Sequence, residues 1–134
     1  VTRLLKTSGF LGLVVAMVVG LYQGYLFAVD TAPPFWVVNG HVHLGVLSIL
    51  AIVTGFAVDA LTIEGRLRRG ISGPYLVGQW LLPGTWWVAF GTGNEALLST
   101  IFLWGGCLIV AMSLMAWRVA TEPTATTRTP SPGQ

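Results

Sequence analysis

Two imidazoles, His41 and His43, stand two residues apart in Asn39-Gly40-His41-Val42-His43-Leu44-Gly45, inside an otherwise apolar run. Ionisable groups within an apolar segment of this length are costly, and a binding role is the first reading to weigh. Helical geometry limits that role. Residues two apart on a helix diverge by about 200°, so the pair cannot chelate one metal from a regular helix. One histidine at most faces a given cofactor. His41, Gly45, Ser48, Gly55 and Asp59 fall on one small, polar stripe, which predicts a face turned toward other helices. His43 shares its side with Leu47, Leu50 and Thr54. The competing reading places both histidines at headgroup level, bonded to water or a loop carbonyl.

Gln79 is the second candidate. It lies four residues before Pro83, whose missing N–H leaves the residue 79 carbonyl without its usual partner. A polar side chain and a freed carbonyl at one level could line a small cavity. They could equally mark a kink, with the amide gluing two helices together. The third candidate is a set of rings. Tyr22, Tyr25, Phe35, Trp36, Trp86 and Trp87 share a level with Gln23 and the histidines. That is where an interfacial aromatic belt belongs, and also where a flat macrocycle or a quinone head could be sandwiched. Cys107, Met112 and Met115 are soft donors in principle, but packing explains them better. No phosphate-binding loop, dinucleotide fingerprint, hydrolase triad or zinc-protease motif is present. An enzyme acting alone is not expected.

These residues are carried on a chain that is 54% hydrophobic and 9% charged. Soluble domains carry about 25% charged residues, so lipid is the solvent that suits this one. Its fold class is predicted as all-α, an integral membrane four-helix bundle over residues 1–120. Spans are expected at about 8–29, 41–60, 71–91 and 96–117, uncharged but for Asp59, which closes the second, and each near the roughly 20 residues a bilayer requires. Span one is read as a transmembrane helix and not a cleaved signal, because its apolar run is too long and no clean cleavage site follows. Val1 fits an alternative start codon.

All seven basic residues fall on one side of such a bundle. Arg3 and Lys6 precede span one, Arg66, Arg68 and Arg69 separate spans two and three, and Arg118 and Arg128 follow span four. The positive-inside rule then gives an N-in/C-in protein of the cell membrane. Pro33-Pro34 stiffens the first outer loop, Asn39-Gly40 reads as a turn before span two, and Ser72 with Pro74 as the cap and first turn of span three. Gly20 and Gly24, and the Gly105-Gly106 pair, predict close helix approach. Residues 121–134 form a polar tail rich in Thr and Pro, with no packed structure expected. The net charge of +2, confined to helix ends, gives no basic groove for nucleic acid.

The stretch from Asn39 to Leu47 resembles the H-x-H-L helix of small prokaryotic four-span proteins, which are themselves similar to part of the haem–copper oxidase and nitric oxide reductase catalytic subunit. The likeness is strongest in span two and extends loosely through Gln79–Pro83 and span four. It implies a four-helix membrane fold, with His41 or His43 as a ligand to haem b or copper near the outer face. The family pattern often has a further histidine in the third span, where this chain carries Tyr75, Gln79 and Trp80. Two histidines on one haem would then require a second chain.

From these readings, the site is expected at the outer level, built from His41, His43, Tyr22, Gln23 and Trp86, with Gln79 below them. Its ligand would be haem b or a metal held by His41 or His43. The protein would serve a redox-related or accessory role, as a homo-oligomer or within a larger membrane complex. A purely structural subunit, and an oligomer passing a small solute or protons along Gln79, Ser48 and Asp59, are the alternatives.

Overall fold

A computed structural model describes residues 2–122. The expected tail therefore lies, from residue 123 onward, outside the described residues. Four long helices follow one another: α1 (Thr2–Ala28), α2 (Phe35–Ala60), α3 (Gly65–Thr92) and α4 (Ile101–Ala120), the last preceded by a 3₁₀ turn, Glu95–Thr100. No strand occurs among the described residues. The segments Thr2–Ala28, Phe35–Ala60 and Glu95–Ala120 are long and apolar enough to cross a membrane. The length of α3, 28 residues, also suffices. Its hydropathy falls short, diluted by Gln79, Pro74, Pro83 and the glycines that punctuate it.

α1, α2 and α3 begin six residues before their predicted spans, because helical bonding does not stop where the apolar stretch does, while α4 begins five residues late, after the 3₁₀ turn. Two local expectations fail for this reason. Asn39-Gly40 is not a turn: α2 begins at Phe35, directly after Pro34, and Gly40 is a buried helical residue. Ser72 and Pro74 do not open α3. The helix starts at Gly65, after the extended Glu64, and runs through both Pro74 and Pro83. The tight α2–α3 connection is made possible by Thr62 and Gly65, both at positive φ.

The packing is open. α1 lies along α2, α2 against α3, and α3 against α4, while α1 touches α3 only lightly. Among the described residues no Cα of α2 comes within 8 Å of one in α4. Two apolar clusters hold the centre: Leu5, Ala51, Tyr75 and Ala111 in one, and Val58, Ile63, Ile71 and Met115 in the other. The outward faces are apolar as well, with Leu21, Phe27, Phe102 and Ile109 each about two-thirds exposed or more. Such a surface suits lipid and not water.

Candidate functional site

At mid-height the polar groups of three helices are spent on one another. Gly9, Gly12 and Ala16 form a small face on α1, buried against α2. A Cβ on Gly12 would lie 2.1 Å from Ser48 Oγ and 2.9 Å from Gln79 Nε2, so glycine is what permits this approach. The Gln79 amide is wholly buried. Its nitrogen donates to the Ser8 carbonyl at 3.1 Å and to Ser48 Oγ at 3.3 Å, and its oxygen accepts from Ser8 Oγ at 3.0 Å. Ser8 Oγ in turn accepts from Trp80 Nε1 at 2.7 Å. Below this level Tyr75 OH donates to the Leu47 carbonyl at 2.9 Å. Gln79 is therefore a three-helix fastener, and it lies apart from the histidines.

The small polar stripe on α2 does turn inward, and its partner is α1. Gly20 packs beneath His41, where a Cβ would sit 3.1 Å from Cε1, Ala16 faces Gly45, and Lys6 lies over Gly55. His41 is half-buried in this seam, with no partner for its enclosed Nδ1. Gln23, one turn beyond Gly20 on α1, likewise has a buried Nε2 without a partner. Trp87 lays its indole across Gly40, whose Cβ would lie 2.1 Å from Nε1. Tyr22, Trp36 and Trp87 line an apolar groove of about 350 Å³ beside this seam.

His43 points elsewhere. It is exposed on the open side of α2, among Val42, Val46 and Leu50, which are themselves exposed. Its Nδ1 lies 2.7 Å from the Asn39 carbonyl. A carbonyl only accepts, so Nδ1 carries the proton, and in the neutral imidazole Nε2 is then the nitrogen with the lone pair. A backbone carbonyl holding Nδ1–H is the usual outer support of a ligating histidine. Trp86 belongs to a third group. It stacks parallel to Phe90 at 5.8 Å, and Phe35 meets both rings edge-on, at 5.9 Å from Trp86 and 4.9 Å from Phe90.

The predicted set thus divides. Gln23 and His41 share the α1–α2 seam with Tyr22 in the groove beside it, His43 faces away from the bundle, Trp86 joins Phe35 and Phe90, and Gln79 sits in the mid-level network. Among the described residues no group of three or more His, Cys, Asp or Glu could hold a metal. Met115 is core, and Cys107 is half-buried on α4. Of the predicted glycine contacts, Gly20 makes one, while Gly24, Gly105 and Gly106 face open space. Sequence reasoning passed over Ser8, Tyr75 and Trp80. The spacing of Leu5, Gly9, Gly12 and Ala16 is the signal that could have placed Ser8 beside an interface.

At the basic end, Lys6 Nζ bonds Asp59 Oδ2 at 2.7 Å and lies 4.6 Å from the Phe56 ring centroid. Arg118 pairs with Glu122, just past the end of α4, and reaches across to the Leu61 carbonyl at 3.4 Å.

No curated protein and no solved structure matches the chain. A family model, described as a domain of unknown function (DUF8059), matches residues 1–134. Since that match covers its whole length, the chain belongs to the DUF8059 family.

Proposed function

We propose that this chain is a four-span, N-in/C-in protein of the cell membrane that serves as a redox-related accessory subunit and gives one histidine ligand, His43, to haem b or copper. The remaining ligands come from a second chain, either another copy or a larger membrane partner. The observation that carries this reading is His43 itself. Its Nδ1–H is held by the Asn39 carbonyl, which leaves Nε2 as the coordinating nitrogen of the neutral ring, and the imidazole is presented on an exposed apolar face. It lies about 12 Å along α2 from Phe35, deep enough to sit below the outer headgroups. A polar group facing lipid there is costly, and a partner or cofactor relieves that cost. His41 fits the role less well, because its Nδ1 is enclosed without an acceptor to fix the ring. Bound there, haem or copper would supply one-electron or gas-binding chemistry; the chain itself supplies a ligand of defined tautomer.

The test is to purify the full chain in detergent after expression with added haem, record the visible spectrum, and measure bound metal. A Soret band or stoichiometric copper is expected in wild type and in His41→Ala, with loss in His43→Ala. No band and no metal in wild type, or equal binding by both variants, overturns the reading.

A second reading, a purely structural subunit, is favoured by the Gln79 network. Every described bond of that amide ends on a neighbouring helix, which suits packing better than a polar route for solutes or protons. Stable copurification with a larger membrane complex, without haem or copper, would select it.

A further inference from the structure

The gap between α2 and α4 is a cleft with defined walls and one charged end. Val53, Thr54 and Ala57 form one wall and Met112, Met115, Ala116, Val119 and Ala120 the other, bounding an open groove of about 470 Å³. The walls combine small residues with flexible thioethers, so the cleft is wide near the alanines and adaptable near the methionines. α3 forces this gap open. It lies between the other two helices and draws α4 toward itself, because Gly78 lets Leu108 and the Trp104 carbonyl come in closely (a Cβ there would lie 2.5 Å and 2.9 Å from them). Among the described residues α2 makes no comparable approach to α4.

At the cytoplasmic mouth, Arg118 bridges the two walls, reaching from α4 to the carbonyl of Leu61, the residue that caps the end of α2. Its partner Glu122 is 40% exposed at the side chain, and their i,i+4 ion pair is one that a competing anion can open. Arg66, Arg68 and Arg69 on the first turns of α3 add positive charge at the same end.

We propose that the cleft holds one acyl chain of an anionic phospholipid, with Arg118 binding the phosphate. The inference rests on the membrane reading above and is independent of His43. Charge complementarity selects this occupant: a neutral helix from a second copy would fill the apolar walls but bring no anion to an end where Glu122 is set against Arg118 and the three arginines of α3, whereas an anionic lipid suits both walls and charge at the depth where headgroup and chain meet.

The experiment uses the full chain in mild detergent, incubated with phosphatidylglycerol or phosphatidylcholine and read by native mass spectrometry. Wild type should retain one phosphatidylglycerol at least about fivefold over phosphatidylcholine. Ala116→Phe, which fills the cleft from an exposed position on α4, should lose both adducts while helicity by circular dichroism stays unchanged. Should that variant not fold, Ala120→Phe from the same wall carries the test. Arg118→Gln should keep the adduct but remove the preference, and inorganic phosphate alone should not bind. Equal retention of the two lipids by wild type overturns the proposal, as does a preference untouched by Ala116→Phe. A lipid-free dimer that Ala116→Phe dissolves assigns the cleft to a second copy and overturns it too. Release of the chain from membranes by alkaline carbonate instead refutes the membrane reading itself.

Discussion

Gly12 offers the sharpest test of how the three helices meet. Gly12→Ala adds one methyl group, and that methyl lands 2.1 Å from Ser48 Oγ, 2.9 Å from Gln79 Nε2 and 3.2 Å from Ser48 Cβ. The first contact is far inside van der Waals range and involves a short side chain fixed on a buried helix face, so either α1 retreats or Ser48 turns away. Overpacking of this kind costs about 1–3 kcal/mol. Retreat also weakens the bonds from Gln79 to Ser8 and Ser48, worth about 0.6 kcal/mol each within a membrane. Alanine is the better helix former by about 1 kcal/mol, which must be removed from the comparison. Gly24→Ala on the same helix does so, because a Cβ there meets nothing within 4 Å. Gly12→Ala should therefore be about 2–4 kcal/mol less stable than Gly24→Ala. The assay is reversible unfolding in mixed micelles, followed by circular dichroism. Ser48→Gly in the Gly12→Ala background removes the clashing hydroxyl and should recover about 1 kcal/mol or more as a coupling energy. If Gly12→Ala and Gly24→Ala agree within about 0.5 kcal/mol, the close α1–α2 approach is wrong, and with it the Gln79 network.

Two further outcomes follow from the same geometry. Tyr75→Phe removes the hydroxyl bond to the Leu47 carbonyl from a side chain only 1% exposed. The carbonyl keeps its place in α2, so the loss should stay below about 1.5 kcal/mol in the same unfolding assay; a larger loss would mean that the ring itself has shifted. For topology, in a Cys107→Ser background, Asn94→Cys should react with a membrane-impermeant maleimide on intact cells, and Thr62→Cys only after lysis. The reverse pattern would invert the N-in/C-in assignment, which rests on outer loops without a lysine or arginine.

The number and order of the helices were legible in the sequence because uncharged runs of bilayer length have few other uses. The helix ends were not, since hydrocarbon thickness sets the apolar run while backbone bonding sets the helix. Asn39-Gly40 shows the difference: the dipeptide has turn chemistry, but Pro34 had already started the helix, and Gly40 serves as the flat spot on which Trp87 lies. The phase of α2 was readable, and it separated His41 from His43 correctly. What phase cannot give is the neighbour. That His41 meets Gly20, and that His43 bonds back to Asn39, depends on how α1 leans on α2. Gln79 was recognisable as helix glue, yet Ser8 and Trp80 were not recognisable as its partners. Polar contacts between residues more than 70 apart leave no local pattern.

The low hydropathy of α3 is best understood as a consequence of its position. It is the one helix that touches all the others. Its buried residues include Ser72, Tyr75, Gly78, Gln79 and Pro83, the small and polar types that let backbones approach and bond within a bilayer. Among its exposed residues, Val77, Leu81 and Val88 are as apolar as the exposed residues of its neighbours. An average over the whole helix mixes these two populations and understates how well the outer one suits lipid. Connectivity argues in the same direction. α2 ends at Ala60 and α3 begins at Gly65, while α3 ends at Thr92 and the next segment opens at Glu95. Joined so tightly to both, α3 must run antiparallel to α2 and α4 along their shared length. If those two helices cross a bilayer, α3 crosses between them, shielded from lipid on the side where its sequence is polar.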